Sequence, residues 1–175
     1  MTKEKDIIEE YKELEVVNIR LVKEPSIISE KPISNVNDAV NLIQNLIKDF
    51  DREAFCTLNL AADGKPISMN MVSIGTLTSA LVSPREVLKS SVLSNASAYI
   101  AFHCHPSGNP TPSMDDAVTT QRLKEASEIM EIKLLDHIIV GCGSGRSFSF
   151  LAHDLMDGDI VKKCERFKSN KEWER

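Results

Sequence analysis

No two of the four cysteines, Cys56, Cys104, Cys142 and Cys164, form a C-x-x-C pair. Cys56, Cys104 and Cys142 sit inside apolar, strand-like runs, where a thiol is usually a small buried hydrophobe. That usage predicts a reduced, cytoplasmic protein. No apolar run approaches the roughly 20 residues that a membrane helix needs, which excludes a spanning helix. The opening MTKEKDIIEEYKELE is charged throughout and lacks the apolar core of a secretory leader. There is no surplus of positive charge either. The net charge of −5 and pI near 5.4 argue against a large sequence-independent nucleic-acid surface, which requires clustered Lys and Arg. Internal repeats and low-complexity tracts are absent as well.

What remains is an ordinary globular composition of 175 residues, 42% hydrophobic and 27% charged. A chain of this length suits one compact domain with a short appendage, and its core needs no disulfide staples. Residues 3–15 carry Ile7, Tyr11 and Leu14 at helical spacing, and 16–22 (VVNIRLV) alternate like a strand. Residues 1–34 are thus expected to be an N-terminal helix-and-strand extension, ending in a Pro/Ser connector.

Asn35 or Asn37 can cap a helix whose apolar positions are Val40, Ile43, Leu46, Ile47 and Phe50. Strands are predicted over 53–60 and 67–74, joined by a tight turn containing Asp63-Gly64. Pro84 opens a helix to Asn95, and 97–105 reads as a buried strand. Three prolines and a glycine in residues 106–112 exclude both helix and central strand. A long helix follows from Ser113 to about Met130, with Val118, Leu123, Ala126 and Met130 on one side. Strands at 134–142 and 146–152 come next, and from Asp157 onward the chain reads as a polar, partly ordered tail. This order predicts an α/β fold, a mixed β-sheet flanked by helices on both sides.

The densest chemical signal is HCHPSGNPTPSMDD, residues 103–116. His103 and His105 are two apart at a strand end, so both imidazoles leave one face and Cys104 leaves the other. Two imidazoles so placed make half of a zinc site. The rigid loop reverses the chain, and Asp116 arrives three residues into the next helix, beside its cap Ser113. A His₂Asp set leaves a fourth position open, the arrangement of catalytic zinc, which lowers the pKa of bound water to roughly 7. Ser113-Met-Asp-Asp116 is equally a capping box with no chemistry, and periodicity alone leaves the two readings balanced. Cys104 as a nucleophile is disfavoured by its orientation. His137, inside LLDHIIV, reads as a satisfied core histidine, and His153 as an exposed cap residue. A nucleobase-deaminase site would need H-x-E with P-C-x-x-C; neither occurs.

The spacing His103-x-His105, seven residues, Ser113-x-x-Asp116 resembles the JAMM signature of the JAB/MPN metallopeptidases. The string HCHPSGNPTPS, with VSIGTL (72–77), SPREVL (83–88) and LLDHIIVG (134–141), is similar to the RadC-type branch of that family. The resemblance runs over about residues 35–151. It implies a cytidine-deaminase-like α/β/α sandwich over 35–156, with 157–175 as the tail. It implies one Zn2+ per chain held by His103, His105 and Asp116, with Ser113 contacting the substrate carbonyl or oxyanion. Glu53, near the start of an early strand, would shuttle protons between water and the leaving amine.

The implied substrate is a peptide or isopeptide bond, such as the tail of a ubiquitin-like or carrier protein. Two departures stand out: Cys104 replaces the usual Asn, and Ser83 the usual His before PRE. Longer members carry a helix-hairpin-helix segment, for which the first 34 residues are too few and too strand-like. The family's association with DNA repair and mobile elements supplies the alternative reading, a nucleic-acid- or protein-binding module.

Overall fold

The computed structural model describes residues 32–47, 50, 52–75 and 82–169. The expected helix at 3–15 and strand at 16–22 lie outside them. Elements follow in the order α1 (Val36–Ile47), β1 (Ala54–Leu60), β2 (Pro66–Ile74), α2 (Pro84–Leu93), β3 (Ala98–His105), α3 (Met114–Met130), β4 (Lys133–Gly141), β5 (Ser147–Ser149) and α4 (Ile160–Ser169).

Asn35 is the cap that starts α1: its side-chain oxygen accepts from Asp38 N–H at 3.0 Å. The β1–β2 turn closes through Ala61 N–H to Lys65 O (2.9 Å) and Gly64 N–H to Ala61 O (3.0 Å). Gly64 sits at φ +80°, and an added Cβ would lie 3.0 Å from the carbonyl of Ile33. Backbone conformation and space both call for glycine there.

The five strands lie in the order β2-β1-β3-β4-β5. The β1–β2, β1–β3 and β4–β5 pairs are antiparallel, and β3–β4 is parallel. Parallel neighbours need a crossover, and α3 provides it. The sheet is therefore mixed, as expected. Helices cover both faces, because β3 alternates between two cores. Tyr99 and Ala101 pack with Val87, Leu123 and Ile160 of α2, α3 and α4. Ile100, Phe102 and Cys104 pack with Ala39, Ile43 and Ile47 of α1.

Three expectations are corrected. The region read as a polar tail contains α4, whose Ile160 and Cys164 are buried against the α3 side of the sheet. Apolar residues at 160, 164 and 167 form one stripe, and Lys162, Lys163, Glu165 and Arg166 between them lower the mean hydropathy enough to hide it. On α3, Val118 and Met130 are exposed. The buried face instead runs through Ala117, Thr120, Leu123 and Ser127. Two of those four are polar and hydrogen-bonded inside, which is why an apolar count missed the face. The last strand spans 147–149 rather than 146–152, because Leu155 N–H returns to Phe150 O (2.9 Å) and Asp154 takes φ +56°. Among the described residues, no helix is long and apolar enough to cross a membrane.

Candidate metal centre

The site forms where the end of β3 meets the first turn of α3. His103 is fully buried, its ring stacked on Phe55 of β1 with centroids 5.9 Å apart. His105, two residues on and half-buried, shares that face. The loop 106–112 brings the chain back, and Ser113 caps α3 by accepting from Asp116 N–H at 3.1 Å. Asp116 Oδ2 in turn accepts from Ser113 N–H at 2.6 Å and from its hydroxyl at 2.7 Å. The capping box and the ligand geometry are thus one arrangement: the cap holds Oδ2, and Oδ1 is left facing His103 Nε2 at 3.2 Å.

The two Nε2 atoms of His103 and His105 lie 3.0 Å apart, and His105 Nε2 is 3.9 Å from Asp116 Oδ2. One ligand atom from each of the three residues lies within 4.8 Å of the others. Burial alone would raise the pKa of Asp116. Hydrogen bonding and charge from His103, with help from His137 and Ser113, outweigh it and hold the carboxyl well below the usual carboxylate range.

Hydrogen-bond directions test whether this set suits a cation. His105 Nδ1 lies 2.8 Å from the carbonyl of Asn109. A carbonyl only accepts, so Nδ1 carries the proton and Nε2 of the neutral ring presents a lone pair. That lone pair, a second imidazole edge and a carboxylate oxygen converge on one point. Three electron-rich atoms at such separations suit a cation among them, and their N₂O composition is that of catalytic zinc sites.

Glu53 immediately precedes β1. Phe55, two residues on, pairs with His103 in the antiparallel register, which ends there. The chain still follows β3 there, since the Cys104 thiol donates to Arg52 O at 3.1 Å. Cys104 points into the α1-side core, away from both imidazoles. Burial pushes its thiol up to about 12, and Cys56 likewise. Neither is a thiolate nucleophile. Cys142, read as buried, is half-exposed just beyond β4.

His137 is buried and fully hydrogen-bonded, as its apolar surroundings suggested, but it is not remote from the chemistry. Its Nε2 lies 2.9 Å from His103 Nδ1, and its Nδ1 lies 2.6 Å from Thr120 Oγ1. Burial, and then the neighbouring His103, push its pKa down to about 3. Phe150 stacks on its other face at 5.2 Å. The sequence held no usable signal for this: in the β3–β4 register His137 pairs with Ala101, two residues from His103. That register could not be read without the sheet. His153 is exposed, as expected, with its ring stacked on Phe148 at 4.2 Å.

Sequence comparisons agree with this geometry. The model of a family described as RadC-like JAB domain matches residues 33–155. A UPF0758 protein of Caldanaerobacter subterraneus subsp. tengcongensis is 41% identical over 115 residues, covering 66% of this chain and 49% of that protein. One from Moorella thermoacetica is 41% identical over 116 residues, covering 66% and 51%. One from Desulforudis audaxviator is 46% identical over 104 residues, covering 59% and 45%. The chain spans about half the length of these curated relatives.

Proposed function

Because the chain belongs to the RadC-like JAB domain family, we propose that it is a metal-dependent hydrolase of the JAMM type, acting on a peptide or isopeptide bond. The observation that carries the reading is the convergence of His103, His105 and Asp116, one ligand atom each within 4.8 Å. His103, His105 and Asp116 would hold a zinc ion, which when bound would supply Lewis acidity toward a carbonyl oxygen and lower the pKa of water toward neutrality.

The protein's own groups do the rest. Glu53 takes the proton from the attacking water and delivers it to the nitrogen of the leaving amine, so the C–N bond breaks without expelling an amide anion. Ser113 lies beside Asp116 with an exposed hydroxyl and donates to the tetrahedral oxyanion when that hydroxyl swings from the carboxylate. Asp116, held by its cap, cannot turn away from the site. Phe55 and the buried β3 end exclude water from behind the imidazoles, which strengthens every charge interaction in front of them.

Elemental analysis of purified protein should find about one zinc per chain, and His105→Ala should lose it. Glu53→Gln should keep the metal and lose hydrolysis of fluorogenic peptide and isopeptide amides by two orders of magnitude or more. Full turnover by Glu53→Gln would remove that residue from the mechanism. Equal zinc in wild type and His105→Ala would remove the site.

A further inference from the structure

Behind His103 lies a chain of hydrogen bonds that the proposed reaction does not use. Thr120 Oγ1 is 2.6 Å from the carbonyl oxygen of Asp116, one turn earlier on α3. Two oxygens that close require a hydrogen between them, and a carbonyl has none to give, so the single hydroxyl proton of Thr120 is committed there. Thr120 Oγ1 must then accept from His137 Nδ1, 2.6 Å away. With its proton on Nδ1, the neutral His137 ring offers a lone pair at Nε2. That lone pair accepts from His103 Nδ1 at 2.9 Å, which makes Nε2 the nitrogen of His103 that faces Asp116 Oδ1, 3.2 Å away.

We infer that Thr120 and His137 are positioning residues: through this chain they hold His103 in the Nδ1–H form, so that its Nε2 lone pair faces the cation. The inference rests on the reading of His103 as a metal ligand. Inverting the relay would send the Thr120 proton to His137 Nδ1, the His137 proton to His103 Nδ1, and a proton onto His103 Nε2, where it would block the ion. The Asp116 carbonyl decides between the two directions. The relay thus begins on the main chain of one ligand and ends on the ring of another, coupling the first turn of α3 to β3 across β4. The other groups against His137, Phe55 at 5.5 Å and Phe150 at 5.2 Å, are apolar and offer its nitrogens no competing partner.

The first test needs no metal and no substitution. Long-range 15N–1H correlation spectra of metal-free wild type at pH 8 should show His103 carrying a proton on Nδ1, and His137 carrying one on Nδ1 and none on Nε2; a proton on His137 Nε2, or none on His103 Nδ1, overturns the inference. The second is zinc affinity by competition with a chromophoric chelator. Thr120→Val and His137→Leu should each weaken zinc by roughly ten- to a hundredfold, the usual effect of losing an outer-shell partner. Thr120→Ser, which keeps the hydroxyl, and His137→Gln, whose amide oxygen can accept from His103, should recover most of it.

Circular dichroism of the metal-free variants separates lost affinity from lost fold. Should His137→Leu fail to fold, Thr120→Val, nearly the same shape, decides. Unchanged affinity in a folded Thr120→Val overturns the inference while leaving the metal site standing. A wild type that binds zinc no better than His105→Ala overturns both.

Discussion

Asp116 and Asp136 show how one residue type is driven in opposite directions by its surroundings. Asp116 is half-buried but faces imidazoles and a helix N-terminus, and it stays charged. Asp136, next to His137 in β4, accepts from Ser149 Oγ at 2.5 Å and Leu151 N–H at 2.9 Å. Burial still outweighs those bonds and raises its pKa to about 6. Since the folded value exceeds the unfolded one near 3.9, folding takes up a proton between them. The stabilisation is fully present below the unfolded value and is lost as pH rises through about 6. Urea titrations of wild type and Asp136→Asn should therefore diverge on acidification, with wild type gaining about 1 kcal/mol relative to the variant between pH 7 and pH 5. Ser113 has two separable roles at the same scale. Ser113→Ala should cost about 1 kcal/mol as a lost helix cap, measurable in metal-free protein. Any further loss in turnover at full zinc occupancy measures its contact with substrate.

At the scale of elements, the site depends on how closely the loop 106–112 lies against the end of β4. An added Cβ on Gly141 would stand 2.2 Å from the carbonyl of Gly108, so backbone meets backbone with no room for a methyl. The carbonyl of His105 accepts from both Gly108 N–H (3.1 Å) and Cys142 N–H (3.0 Å), tying strand, loop and turn together. Gly141→Ala should push the loop outward, costing about 1–3 kcal/mol as an overpacked position. It should also shift Asn109, whose carbonyl orients His105, so zinc affinity and thermal stability should fall together. A variant that loses stability with unchanged zinc affinity would show that the loop and His105 are independent. Much of this element was readable beforehand. The prolines marked 106–112 as rigid and non-repetitive, whereas the close approach of two glycines 33 positions apart has no local signature.

Over the whole molecule, the proposed ligands come from two elements that the fold must bring together, so ion binding and folding are linked. Zinc at a hundredfold excess over its dissociation constant should add about 2.7 kcal/mol to stability. Chelation should lower the melting temperature of wild type and leave that of His105→Ala unchanged, by scanning calorimetry. If both melt alike with and without chelator, the three residues do not bind the ion in the folded state. The same linkage gives α4 a structural part: Ile160 N–H reaches Gln121 Oε1 at 2.9 Å, and the helix packs against the α3 that carries Asp116.

The amino-acid order alone determined the site's first half. H-x-H at a strand end shares a face by the period of two, and S-x-x-D at a helix start brings a carboxylate back to its cap, both short-range consequences of backbone geometry. It also determined the mixed α/β class, because alternation and helical spacing are local. Only the tertiary structure decided that Asn35 caps α1, that a charge-rich tail hides a buried stripe, and that the polar face of α3 looks inward. Only it joined Thr120, His137 and His103 into one directed chain. Those partners lie 17 and 34 positions apart, and hydrogen-bond direction across such distances depends on sheet register and helix rotation, which no local pattern encodes.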